Sequence, residues 1–241
     1  LMLDCRHNFT KQYGAKLMEN KKALVLFSGG LDSTTVLHHA ISKGYTCIPL
    51  TIDYSQRHSY EIESSQKYLK IINLKGHIFK IDLTQIGGSA LTDKEINVPT
   101  EMNSGIPVTY VPARNTIFLS IAAAYAEKMS IDQIFIGVNQ IDYSGYPDCR
   151  PDFIDSFKKT INLGTKTGVD GKQLEINTPL INMSKKDIIK YGHNMGIDYS
   201  QTVSCYQLDR EGNACGHCDA CKLRKEGFLL AGLEDPTRYK N

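Results

Sequence analysis

No apolar run in this 241-residue chain approaches the length of a membrane span, and no leader-like charged-then-apolar pattern opens it. Neither sign of charge dominates: 28 lysines and arginines stand against 26 aspartates and glutamates, a net of +2. That balance gives no general reason to bind nucleic acid or an acidic membrane, and neither is expected as a direct partner. There is no internal repeat, no low-complexity tract and no long linker. One large domain, or one domain with an appendage, is what this length then accommodates. Disulfides are also missing from the expectation. The seven cysteines are odd in number, and four crowd into residues 205–221, which is a metal pattern. A reducing cytoplasm is the compartment that fits. With 41% hydrophobic and 22% charged residues, the composition is that of an ordinary globular protein.

What is present is organised around residues 23–33. The apolar run Ala23 to Phe27 reads as a buried strand, and Ser28-Gly29-Gly30-Leu31-Asp32-Ser33 follows at once. Val36, Leu37, Ala40 and Ile41 then recur at helical spacing, so a helix begins near Ser33. Strand, glycine-rich turn and helix make an anion site. Two glycines let backbone N–H groups close around a phosphate, and the helix start adds unpaired donors. Ser28 and Ser33 can donate hydroxyls. Asp32 is an odd neighbour for phosphate unless a divalent cation such as Mg²⁺ lies between them. The stretch lacks the Gly-Lys-Ser/Thr of a Walker loop and is not a Gly-x-Gly-x-x-Gly turn. It is similar to the PP-loop of the ATP pyrophosphatases, which cleave ATP between its α and β phosphates. A plain turn capped by Asp32 or Ser33 is the alternative.

Further strands are expected at 46–52, 76–81, 133–138 and 174–178, alternating with helices near 58–72, 113–129, 151–163 and 184–195. This predicts an α/β fold, a doubly wound, mainly parallel five-stranded sheet of Rossmann-like type. Ligands then sit beyond the carboxyl ends of the strands, where Ser28–Ser33, Asp53–Arg57 and Asp82 share a rim. Residues 82–112 and 139–150 read as irregular, the first as a functional loop or lid. Helix 113–129 reads as apolar nearly all round, hence largely buried. Gly164, Gly168 and Gly171 mark a loop, and Ser184 with Asp187 resembles a capping box. Residues 1–17 show no period and are set aside as an upstream extension. Residues 18–200 form the nucleotide-binding domain, and 201–241 a metal-binding segment with a terminal helix.

Cys205 and the overlapping knuckles Cys215-Gly216-His217-Cys218 and Cys218-Asp219-Ala220-Cys221 fit a tetrahedral thiolate site. Four sulfurs close the coordination sphere, which suits one structural zinc per chain. Four thiolates also suit an iron–sulfur cluster. His217 is given a peripheral role. Cys47 falls in a strand and reads as core. Cys149 could be a nucleophile, but no pairing histidine can be assigned. The stretch 137–151 is dense in polar, aromatic and turn residues. Aromatic faces suit a flat heterocycle, carboxylates suit amidine-type N–H edges and an arginine suits a carboxylate. Asp142, Tyr143, Ser144, Tyr146, Asp148 and Arg150 are the candidates, a self-satisfied turn being the alternative.

From Lys22 to Tyr239 the chain resembles the 7-cyano-7-deazaguanine synthase (queC) family of PP-loop enzymes in queuosine biosynthesis. The likeness is carried by Phe27-Ser28-Gly29-Gly30-Leu31-Asp32-Ser33-Thr34-Thr35-Val36-Leu37, by Asp53-Tyr54 with Gln56-Arg57-His58, and by Gly87–Leu91 and Tyr110–Phe118. Ser144-Gly145-Tyr146-Pro147-Asp148-Cys149-Arg150-Pro151, Thr178–Leu180 with Ser184-Lys185, and the four cysteines complete it. Ser55 stands where the family's pattern has Gly, and the Cys205–Cys215 gap is about a residue longer than usual. The resemblance implies an adenine nucleotide alpha hydrolase-like fold, a homodimer, and ATP bound along Phe27–Leu37 with Asp53. It implies that 7-carboxy-7-deazaguanine and ammonia become 7-cyano-7-deazaguanine through adenylated carboxylate and amide intermediates. Asp32, Ser33, Lys185 and Arg114 are the candidate catalytic residues, the two cations supplying positive charge beside the phosphates. A solvated Lys185 and an ion-paired Arg114 are the alternatives. No stretch reads as a glutaminase, so free ammonia or a separate donor is implied. A PP-loop tRNA sulfurtransferase is the near rival, and a non-catalytic nucleotide sensor the distant one.

Overall fold

The computed structural model describes residues 21–57, 60–99 and 105–240. The expected extension at 1–17 lies outside them, as do the side chains of Tyr143 and Ser144. Strand β1 (Lys22–Leu26) is the axis of the fold. Its side chains alternate between two cores, as a period of two requires. Leu24 and Leu26 enter one core, Ala23, Val25 and Phe27 the other. Burial on both faces explains why the strand reads as a continuous apolar run. Helix α1 (Leu31–Ser42), β2 (Thr46–Asp53), α2 (Tyr60–Ile71) and β3 (His77–Lys80) follow. After a long segment come α3 (Arg114–Lys128), β4 (Gln133–Phe135), α4 (Gln140–Gly145), α5 (Pro151–Gly164) and α6 (Lys166–Val169). β5 (Glu175–Asn177), α7 (Lys185–Asn194) and α8 (Asp219–Ala231) complete the order.

The five strands pair in parallel in the order β3-β2-β1-β4-β5. The expected doubly wound parallel sheet is therefore present. One core packs α3 and α5 on the sheet, and the other packs α1, α2, α7 and α8. Strand order reverses between β1 and β4, so the crevice at their carboxyl ends is where such a sheet holds ligand. The chain leaves β4 close to α1: a Cβ on Gly137 would lie 3.2 Å from the Ser33 nitrogen.

Three expectations need correction. Residues 140–145 are helical, because Asn139 and Asp142 form a reciprocal capping box and overcome the turn-rich composition. A short helix also interrupts the glycine loop, with the Thr165 side chain accepting from the Gly168 N–H. Helix α3 is buried along one side only. Leu119, Ala122, Ala123 and Ala126 face the core, while Ser120 and Ala124 are exposed. Small residues had made its outer face look apolar. The long segment 82–112 contains no helix or strand among its described residues, as expected. It is nonetheless anchored: Ala90 and Val98 pack against the cysteine cluster, and Arg57 Nη1 donates to the Ala90 and Ile96 carbonyls at 3.1 Å each. The capping box of α7, Ser184 with Asp187, is present. Among the described residues, no helix is long and apolar enough to cross a membrane.

Candidate active site

The loop between β1 and α1 is held from three sides. Gly29 has φ +80°, a left-handed conformation open to glycine, and a Cβ there would lie 2.9 Å from the Ser65 Cα of α2. The Gly29 carbonyl accepts the Val203 N–H at 3.1 Å, so the segment preceding the cysteines closes the loop from outside. Inside it, Ser28 N–H donates to Ser33 Oγ at 3.2 Å and the two hydroxyls lie 3.1 Å apart. The N-cap of α1 is Gly30, with no side-chain cap. Asp32 and Ser33 therefore do not cap, and the first-turn amides remain available for an anion.

Asp32 projects from this turn into a half-buried ion pair. Lys185 Nζ, on the first residue of α7, donates to its two oxygens at 2.9 and 2.7 Å. Asn139 Nδ2 reaches Asp32 at 3.3 Å and Asp142 at 2.8 Å. The pairing with Asp32 offsets the unfavourable position of a lysine at a helix start. Burial and the nearby charge of Asp32 push the Asp142 carboxyl up to about 6, against the pull of Lys185 and the Asn139 N–H.

The opposite wall is aromatic with two charges in it. Burial pushes the Tyr54 hydroxyl up to about 12 and Tyr206 well above its ordinary value. Arg114 lies over the Phe118 ring at 5.9 Å. Burial disfavours its charge, but the surrounding Tyr54, Cys149, Tyr146 and Tyr206 more than offset that, and its pKa is raised. No carboxylate forms an ion pair with Arg114 among the described residues, so the helix-flanking pair is not what holds it. Glu61 of α2 is pushed up to about 7 by burial, with Arg114 pulling the other way. Tyr146 stacks on Tyr110 with centroids 6.0 Å apart.

A cavity of about 300 Å³ joins the two walls. It is lined by Phe27, Ser28, Gly30, Leu31, Asp32, Ser33, Tyr54, Arg114, Asp142, Tyr146 and Lys185, which the sequence singled out, and by Glu61 and Tyr206, which it did not. Other expected residues lie elsewhere. Val36 and Leu37 are core, Thr34 is buried, and Thr35 bonds the Leu31 carbonyl and the Tyr199 hydroxyl. Asp53 ends β2 outside the lining and accepts the Ser55 N–H at 3.3 Å. Asp148 is buried, and its carboxylate accepts the Asn115 N–H at 2.8 Å, tying down the start of α3. Arg150 is exposed and does not line the cavity. Cys149 lines it as a thiol. Burial and Asp142 raise its pKa, against the pull of Arg114 and of Asn115 Nδ2, which donates to its sulfur at 3.0 Å, and the net effect disfavours a nucleophilic thiolate. Cys47 is buried in β2.

The sulfurs of Cys205, Cys215, Cys218 and Cys221 lie within 4.8 Å of one another, and all four residues are buried. Gln207 and Cys215 N–H groups point at Cys205 Sγ at 3.2 Å each, and Cys218 N–H at Cys215 Sγ at 3.3 Å. Amide donors converging on clustered sulfurs fit thiolates around one tetrahedral metal, consistent with zinc. His217 turns away, bonding the Cys215 carbonyl and Gln207 Oε1.

Comparison with known proteins agrees with this geometry. The family model described as queuosine biosynthesis protein QueC matches residues 22–232. A 7-cyano-7-deazaguanine synthase from Saccharophagus degradans is 56% identical over 93% of this chain and all of its own length. One of the same name from Cellvibrio japonicus is 56% identical over 92% of this chain and 99% of its own. A solved 4-thiouridine synthetase–RNA complex with bound ATP shares the fold, with a TM-score of 0.51 at 16% identity, over 88% of this chain and 52% of that one.

Proposed function

Because this chain belongs to the QueC family of queuosine biosynthesis proteins, we propose that its cavity is where 7-carboxy-7-deazaguanine is activated by ATP and converted with ammonia to 7-cyano-7-deazaguanine. The chain is an enzyme of that pathway, and the assignment of steps to residues is our reading of the geometry. A single observation supports it most. A phosphate loop without a lysine of its own opens onto an ion-paired carboxylate, Asp32–Lys185, and onto an aromatic basin in the same cavity.

In this reading the α1 amides and the Ser28 and Ser33 hydroxyls hold the departing pyrophosphate, where charge develops. Asp32 would hold the Mg²⁺ that accompanies ATP, which neutralises phosphate charge when bound. Lys185 supplies positive charge at the same end. The substrate carboxylate attacks the α-phosphorus, and pyrophosphate leaves with the electron pair. Ammonia displaces AMP to give the amide. The amide oxygen is adenylated by a second ATP, and loss of AMP leaves the nitrile. Tyr146 and Tyr54 offer faces to the heterocycle, and Asp142 an acceptor for its N–H edge. Arg114, a cation without a carboxylate partner among the described residues, is suited to the substrate carboxylate. The four cysteines would hold zinc, which orders the segment that closes the loop. A homodimer belongs to the same proposal, and Leu229 of α8, 78% exposed, is one apolar side chain free to enter an interface.

The test follows carboxylate, ammonium and MgATP by ³¹P NMR and mass spectrometry. Two AMP and two pyrophosphate per nitrile are expected. ADP and phosphate rising in step with nitrile would overturn the adenylation mechanism.

A further inference from the structure

The nitrogen that enters this reaction as ammonium carries four hydrogens, and as a nitrile it carries none. No electron is gained or lost, so every hydrogen must leave as a proton, its bonding pair staying on nitrogen. One proton leaves to free the lone pair. A second leaves as the C–N bond forms and AMP departs with the C–O pair. A third leaves when the amide oxygen takes the adenylyl group, and the last when the second AMP departs and the triple bond closes. Such a site needs a proton acceptor within reach of the nitrogen.

Among the described residues three carboxylates line the cavity: Asp32, Asp142 and Glu61. Asp32 is bound by Lys185. Asp142 accepts the Asn139 N–H at 3.2 Å and its amide at 2.8 Å as part of the α4 capping box. Glu61 accepts no hydrogen bond and joins no ion pair among the described residues. Among the described residues no histidine lines the cavity, and the thiol and the buried hydroxyls of Tyr54 and Tyr206 have their pKa values raised. Among the described residues, the charged and titratable groups that act on Glu61 or share its part of the lining are Arg114 from α3, Tyr54 after β2 and Arg57, whose Nη1 is turned to backbone carbonyls. Arg114 favours the ionised carboxylate, while burial keeps it basic enough to take a proton near neutrality.

We infer that Glu61 is the catalytic proton acceptor for the incoming nitrogen. The assignment rests on the reaction proposed above, and it separates Glu61 from the first adenylation, that of the carboxylate, carried out at the phosphate loop.

The experiment measures two partial reactions of the full chain. Exchange of labelled pyrophosphate into ATP, with 7-carboxy-7-deazaguanine and no ammonium, reports adenylation. Nitrile formation with ammonium reports the nitrogen steps. Glu61→Gln is expected to keep exchange and the KM for the carboxylate within about threefold while nitrile formation falls about 10²–10⁴-fold. The wild-type rate should bend near pH 7, as Glu61 loses its proton, and the variant should lack this bend and rise only with the fraction of free ammonia. Hydroxylamine, already neutral at pH 7, should be used with a smaller loss than ammonium. If Glu61→Gln does not fold by circular dichroism, Glu61→Asp, which retracts the charge by one methylene, should still separate exchange from nitrile formation. Exchange falling together with nitrile, and a raised KM for the acid, would make Glu61 a heterocycle-binding residue and overturn the proposal. So would unchanged nitrile formation. Wild-type protein without any exchange would instead remove the reaction itself.

Discussion

Two glycines with nearly the same φ allow the clamp on the phosphate loop to be measured. Gly29 has φ +80° and Gly171 has φ +79°. Alanine at either position carries the left-handed strain of an L-residue, about 1–2 kcal/mol. The surroundings differ. A Cβ at Gly171 meets nothing within 4 Å, whereas at Gly29 it lies 2.9 Å from Ser65 Cα and 3.1 Å from Ser65 N. Those are backbone-adjacent atoms of a packed helix, so relief requires α2 to move, an overpacking cost of about 1–3 kcal/mol. Gly171→Ala should therefore cost about 1–2 kcal/mol and Gly29→Ala about 2–5 kcal/mol. At roughly 2–4 °C per kcal/mol for a chain of this size, Tm should fall by about 2–8 °C and 4–20 °C respectively. Function should divide more sharply. Shifting α2 displaces both the loop and the wall that carries Glu61, so Gly29→Ala should lose AMP production while Gly171→Ala keeps it. Differential scanning fluorimetry and an AMP assay read both. Equal losses of Tm, with turnover retained in both variants, would show that α2 does not clamp the loop.

Asp32→Ala should fold, because its side chain faces the cavity, and lose AMP formation by about 10²-fold or more; near-normal AMP from the folded variant would refute the metal role. Cys218→Ser should lose bound zinc by elemental analysis, lower the Tm and raise the KM for ATP, because Val203 links this segment to Gly29. Iron with visible absorbance in the wild type would replace zinc by a cluster. Ser55 holds a left-handed φ of +60°. Ser55→Gly should relieve about 1–2 kcal/mol of strain against about 0.4–1 kcal/mol of added chain entropy; a lower Tm in thermal melts would contradict this.

The parts of the molecule legible in its sequence are those whose cause is local. The run Ala23–Phe27, the Ser28–Ser33 turn and the Ser184/Asp187 cap each depend on neighbours within a few residues, and the structure has all three. The clustering of the four cysteines was legible for the same reason: three of four lie within one turn and its helix start. What could not be read depends on partners far along the chain. Asp148 looked like a ligand for a heterocycle, but its carboxylate meets the Asn115 N–H, fixed by how α3 crosses the sheet. Glu61 looked like one charge on a polar helix. Its basicity comes from burial in a wall that Arg114, Tyr54 and Tyr206 complete from three other parts of the chain. Ser55, noted as standing at a glycine position, proves to occupy a left-handed turn. The helix at 140–145 had a signal, Asn139 with Asp142, but aspartate is less diagnostic than glutamate at that capping position.

The hydrogen bond from Val203 to Gly29 also sets a schedule for the molecule's birth on the ribosome. The two residues stand about 170 positions apart, so at roughly 5–20 residues per second the loop emerges some 9–35 s before its outer support. During that interval β1, β2 and α1 can already pair and pack, yet the nascent chain has no complete grip on a nucleotide. Nucleotide retention by stalled ribosome complexes should therefore appear late and abruptly, once the cysteine segment has left the exit tunnel and taken up its metal. On the proposed zinc site, a cell short of zinc would accumulate chains that are largely folded but unable to hold ATP firmly.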